Sequence, residues 1–153
     1  MTQTGRITVT LPADRRKPGT LTFTIGAWSQ FTCVCLGKSD NAKAAEMGNP
    51  ERDPLLPWGD LPTGEYFPSV MVARPGRAFG LCERIHLLPI DGQAEHAADF
   101  GGRYGLLIHG GEPSASELLR PTYGCLRLFD HDMAVVLAMF NEAKPCTVHV
   151  VEV

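Results

Sequence analysis

Five cysteines and five histidines are spread along this 153-residue chain, and one pair of them stands in a context that suits acyl chemistry. His109 closes the apolar run YGLLIHG at a glycine turn, and fifteen residues separate it from Cys125 in RPTYGCLRL (residues 120–128). A reactive cysteine needs a thiolate, and therefore a nearby base, a helix N-terminus or backbone donors that stabilise charge. His109 is the candidate base, a helix is predicted to begin near Asp130, and the amides of Gly124 and Cys125 are candidate donors to an oxyanion. Gly124 would also let the backbone approach a substrate closely. Two residues past the thiol, Arg127 offers a planar fork suited to a carboxylate. The residues alone leave a second reading open, because cysteine is among the most buried residue types and Cys125 would also serve as a small core side chain.

The elements that must hold these residues are mostly strands. Twelve prolines and sixteen glycines cut the chain into short segments. Alternating or β-rich runs occur at 6–11 (RITVTL), 20–28 (TLTFTIGAW), 31–36 (FTCVCL), 65–73 (EYFPSVMVA), 82–90 (CERIHLLPI), 104–110 (YGLLIHG) and 146–153 (CTVHVVEV). The basic, Pro-Gly stretch from Arg15 to Gly19 reads as a hairpin turn. Residues 37–60 form a polar, proline-rich surface excursion with a helical turn in NAKAAEM, long enough to suggest function. One segment reads clearly as helix, 130–144 (DHDMAVVLAMFNEAK): Met133, Val136, Leu137 and Phe140 recur at helical spacing, Asp130 is placed to cap the start, and Lys144-Pro145 to stop it. The chain is the size of one ordinary domain, and residues 1–153 are taken as one.

Composition removes several classes. Fourteen basic and seventeen acidic residues give a formal charge of −3 with no run of like charges, so nucleic acid and a membrane surface are not expected partners. No stretch approaches eighteen apolar residues, and the start has no apolar run after a basic segment, so neither a membrane span nor a signal peptide is visible. An odd cysteine count rules out complete pairing within one chain. Cys33-Val34-Cys35 is not CxxC, has no second close pair, and is expected to point to opposite strand faces, so no metal site is expected. Cys33, Cys35, Cys82 and Cys146 read as core thiols, with a Cys82–Cys146 bridge left open. His86 and His149 read as packed or edge residues, His131 as exposed at the helix start, and His96 as part of an acidic loop. Trp58 and Tyr66 either pack on a ligand or anchor a loop, the second being favoured, and Arg103 and Tyr104 either serve function or sit at a rim, the second again being favoured.

The order IHGG, a loop, TYGCLRL and FDHDMAVVL resembles the signature of the L,D-transpeptidase (YkuD-type) catalytic domain. That pattern runs from an IHG-type turn to S/T-H-G-C-[IL]-R-[ML], then N-x-D and a helix. Ile108-His109-Gly110, Thr122, Gly124-Cys125-Leu126-Arg127-Leu128 and Asp132 fall on matching positions. Upstream, LPTGEYFPSV (61–70) is similar to the family's TPTG element, and RITVTL, TLTFT and CVCLGKSD lie where the family has its opening hairpin and a strand ending in Gly-Lys. The resemblance implies a mainly β, β-sandwich-like fold with one clear helix near the C-terminus. It also implies that Cys125 is the nucleophile, His109 its base, the carbonyl of Gly110 the group that orients the imidazole, and Arg127, Tyr123 and Thr122 substrate-binding residues.

The chemistry so implied is acyl transfer on peptidoglycan stem peptides through a thioester, with an amine, a D-amino acid or water as acceptor and no metal or organic cofactor. Two features depart from the pattern: Tyr123 stands where the family carries histidine, and the stretch from His109 to Thr122 is shorter. A tyrosine donates a hydrogen bond but is no base at neutral pH, so substrate and acceptor preference are where the change should act. Such enzymes work in the periplasm or cell wall, and without a visible leader the export route is open. Small leaderless proteins resembling this family include antibacterial toxins delivered by a type VI secretion system, which implies an immunity protein as partner. A catalytically silent wall-binding module is the alternative from another class, and it would need neither Cys125 nor His109.

Overall fold

The computed structural model describes residues 4–27, 29–80, 83–111, 118–143 and 146–153. Alternation of apolar and polar side chains sets the first strands: β1 (Gly5–Leu11) buries Ile7, Val9 and Leu11, and β2 (Gly19–Ile25) buries Leu21, Phe23 and Ile25. β3 (Ser29–Cys35) follows, and β1, β2 and β3 pair antiparallel. Cys33 and Cys35 both face the core, which corrects the expectation of opposite faces, since residues two apart on a strand share one. The 37–60 excursion carries α1 (Asn41–Glu46), whose start is capped by Asp40 Oδ1 accepting from Lys43 N at 2.8 Å.

β4 (Gly64–Val72) and β5 (Glu83–Asp91) form a long hairpin, followed by α2 (Gln93–Gly101), the four-residue β6 (Leu106–His109), the two-residue β7 (Leu126–Arg127), α3 (Asp130–Glu142) and β8 (Cys146–Glu152). Among the described residues the eight strands belong to one sheet in the order β3-β2-β1-β8-β4-β5-β6-β7. β8 joins the halves, running parallel to β1 and antiparallel to β4. The two end strands then meet: Leu36 and Arg127 exchange N–H···O bonds of 3.0 Å each way, so the sheet curls and nearly closes on itself. Inside the curl, Met133, Val136, Leu137 and Phe140 of α3 pack into one core with Ile7, Phe23, Ile85, Ile108 and Val148.

The mainly β expectation with a helix near the C-terminus holds. α2 lies where an acidic loop was expected; its buried face is only Ala94, Ala97 and Ala98, small enough for the helix to lie close on β4 and β5. Asp130 does not cap α3. The N-cap is Phe129, and Asp130, the first helical residue, accepts instead from Gly111 N (2.9 Å), tying the turn after His109 to the helix start. The expected stop at Lys144-Pro145 lies outside the described residues, as does Cys82 of the suggested bridge; Cys146 is a buried thiol. Among the described residues no helix is long and apolar enough to cross a membrane.

Candidate functional site

Closure of the sheet builds the site. β6 and β7 pair parallel, with Ile108 opposite Leu126 and His109 opposite Arg127, which sets Cys125 alongside Leu107. Leu107 N–H donates to Cys125 Sγ at 3.3 Å. From the other side, residues 36–40 hold the cysteine loop: Thr122 N donates to Lys38 O (3.2 Å) and Asp40 N to Thr122 O (2.8 Å), beyond the Leu36–Arg127 pair. Within the loop, Thr122 Oγ1 donates to Cys125 O (2.9 Å) and accepts from Gly124 N (3.0 Å). A single hydroxyl thus fixes the backbone on both sides of Gly124.

That bond changes one expectation. The Gly124 amide is occupied by Thr122, so of the expected oxyanion pair the Cys125 amide is the member left to serve. Gly124 also has φ +124°, and a Cβ there would collide with the Arg103 guanidinium, so glycine is required for the loop's own packing.

His109 is 2% exposed, and its Nδ1 lies 2.7 Å from Gly110 O. A carbonyl only accepts, so Nδ1 carries the hydrogen and Nε2 the lone pair. Phe79 packs edge-on against the imidazole with centroids 4.8 Å apart, and the Arg84 guanidinium covers Phe79 at 4.2 Å. Burial pushes the imidazole down to about 4, against the Gly110 carbonyl and assisted by the charges of Arg127 and Arg84. The ring is therefore neutral at pH 7 and able to take a proton. Burial also raises the Cys125 thiol, opposed by the Leu107 N–H and by the positive charges of Arg103 and Arg127. Both groups being neutral at rest, the thiolate forms only when a proton moves to a base.

His109, Thr122, Tyr123, Cys125 and Arg127 all line one cleft of about 570 Å³, together with Trp58, Phe79 and Arg103. Gly110 and Gly124 support it from the backbone. The other four histidines do not line it: His149 pairs with Glu65 (2.9 Å), and His96 packs on Phe100 on α2. Tyr66 is fully buried, its hydroxyl donating to Pro62 O (2.7 Å), so it anchors the fold, while Trp58 stands at the cleft. Arg103 is not at a rim. It is 5% exposed and donates to the carbonyls of Pro54 (2.8 Å), Asp60 (2.8 Å) and Gly59 (3.2 Å), which welds the 37–60 excursion to the site. Its place just after the helix-ending Gly102, at φ +66°, is the sequence signal that could have drawn attention to it.

No known protein family and no curated protein matches the chain. Solved structures do. The helical cell shape determining protein Pgp2 from Campylobacter jejuni matches with a TM-score of 0.54 at 12% identity, over 99% of this chain and 48% of that one. A mutant of the same protein gives 0.53 at 13%, over the same shares. The chain spans about half the length of these neighbours, and what it shares with them is the fold. Among the described residues no group of three or more His, Cys, Asp or Glu side chains is arranged to hold a metal ion.

Proposed function

We propose that this chain is a cysteine acyl-transfer enzyme acting on peptidoglycan stem peptides through a thioester on Cys125. The observation that carries the reading is a thiol and a neutral imidazole lining one cleft, the imidazole held in its Nδ1–H form by Gly110 O. The IHGG and TYGCLRL motifs supply the substrate class, and a cell-shape-determining protein on the same fold supports a cell-wall function.

In the first half-reaction, Cys125 Sγ attacks the carbonyl carbon at an L–D peptide bond as its proton passes to His109 Nε2. A C–S bond forms and the carbonyl π pair moves to oxygen, where the Cys125 amide and the field of Arg103 and Arg127 meet the charge. Collapse breaks the C–N bond, and the amine leaves with the proton from Nε2. In the second half-reaction an acceptor attacks the thioester: a stem amine gives a cross-link, a free D-amino acid gives exchange, and water gives carboxypeptidase activity. The same residues serve both halves, and no cofactor enters.

The test is incubation of wild type and Cys125→Ala with a tetrapeptide stem ending in D-alanine, with and without a free D-amino acid, followed by mass spectrometry of peptides and intact protein. Loss of D-alanine, exchange or dimer formation that disappears in the variant is expected. No turnover and no adduct from folded, reduced wild type would refute the reading and favour a binding module.

A further inference from the structure

Trp58 and Tyr123 of the cleft lining, with Lys43 beside them, converge from separate segments without being needed for the chemistry above. Trp58 and Tyr123 meet edge to face, 5.8 Å between centroids at 66°, and the Lys43 ammonium lies over both rings, 5.2 Å from Trp58 and 5.9 Å from Tyr123. Both rings lie within cation–π range of that ammonium. The acid within ion-pair range among the described residues, Glu46, stands 3.9 Å away, beyond hydrogen-bond reach. The ammonium is thus positioned with donor capacity left over.

The arrangement is built at a cost. Trp58 has φ +68°, a left-handed backbone that a bulky residue rarely adopts. It is kept there by Ser39 Oγ donating to Trp58 O (2.6 Å), by Asn49 Nδ2 donating to the preceding Pro57 O (3.1 Å), and by Arg103 on the following Gly59 O. Strain held by this many bonds in the lining of the cleft that holds Cys125 points to function. Tyr123, at the position where the family pattern has histidine, is 62% exposed and contributes its ring to the cage.

The local charge indicates the ligand. On a chain of formal charge −3, the charged side chains lining the cleft are Arg103, Arg127 and Asp40, two cations against one anion. With Lys43 over two rings of the lining, the cleft is cationic within an anionic protein. We propose that Lys43, Trp58 and Tyr123 form a carboxylate-recognising subsite that selects acyl donors by a free carboxylate on the peptide, with the rings packing against the adjoining apolar atoms. The assignment rests on the acyl-transfer reading for the identity of the donor. The carboxylate is either the one on the leaving residue or one upstream of the bond attacked.

Calorimetric binding to Cys125→Ala, which holds donor without consuming it, separates these cases with three peptides: the tetrapeptide stem ending in D-alanine, its C-terminal amide, and the same stem with its upstream carboxylate as carboxamide. One amide is expected to bind about fivefold more weakly than the acid, and which one identifies the carboxylate. In Cys125→Ala/Lys43→Met the acid-to-amide ratio should fall to about one, whereas Cys125→Ala/Lys43→Arg should keep a preference. Raising salt on Cys125→Ala alone should weaken the acid selectively, a check that needs no second substitution. Equal binding of all three peptides, or a ratio unchanged by Lys43→Met, overturns the subsite. Turnover by wild type is measured in parallel: turnover with a Lys43-independent ratio overturns the subsite alone, and a Lys43-dependent ratio without turnover overturns the acyl-transfer reading while supporting the subsite.

Discussion

Replacing His109 with glutamine should remove a specific acid sensitivity from the fold. In the folded chain the buried imidazole titrates at about 4, and in the unfolded chain near the ordinary value of 6.5. Between those two pH values the unfolded chain binds more protons, so the contribution of neutral His109 to stability is fully present above about pH 6.5 and is lost as pH falls toward 4. At 1.36 kcal/mol per pH unit the interval corresponds to about 3 kcal/mol. For a single domain this is a large share of its stability. Urea unfolding of wild type and His109→Gln at half-unit steps from pH 7 to pH 4 measures it. Carboxylate effects are common to both proteins, so the difference between the curves isolates residue 109. Wild type should lose about 3 kcal/mol more than the variant across the range, with the urea dependence otherwise unchanged. Parallel curves would refute the claim that His109 is held neutral by burial, and with it the base assignment drawn from that state.

Alkylation of native protein by iodoacetamide at pH 7.5 should modify Cys125 before Cys33, Cys35 and Cys146, which are buried with thiols pushed up to about 12, 12 and 11. It should still be slower than for a free thiol and accelerate with rising pH, because burial raises Cys125 as well; peptide mapping over time reads both. Thr122→Val removes the acceptor for Gly124 N–H and the donor to Cys125 O, costs about 2 kcal/mol in chemical denaturation, and lowers kcat more than it raises KM, since it loosens the loop that carries the thiol. Arg103→Met leaves the carbonyls of Pro54, Gly59 and Asp60 without their donor and costs about 3 kcal/mol, with faster amide exchange concentrated in residues 41–60; exchange unchanged in that segment would contradict the role given to Arg103.

What the sequence determined by itself was local. Alternating side chains in RITVTL and TLTFTI could bury one face only as strands, and the spacing of Met133, Val136, Leu137 and Phe140 could do so only as a helix. The candidate pair came from a resemblance, IHGG followed by TYGCLRL, since the residues alone left Cys125 open as a small core side chain. α2 was not legible, because its buried face is made of alanines, which leave no strong apolar period. Tertiary structure alone decided how the pieces meet. The pairing of β6 with β7, the closure through Leu36 and Arg127, the descent of Arg103 onto carbonyls more than forty residues away, and the cage of Lys43, Trp58 and Tyr123 all join segments distant along the chain. Local propensity carries no record of such contacts, because their partners are set by how the curled sheet buries its core and not by the residues beside them.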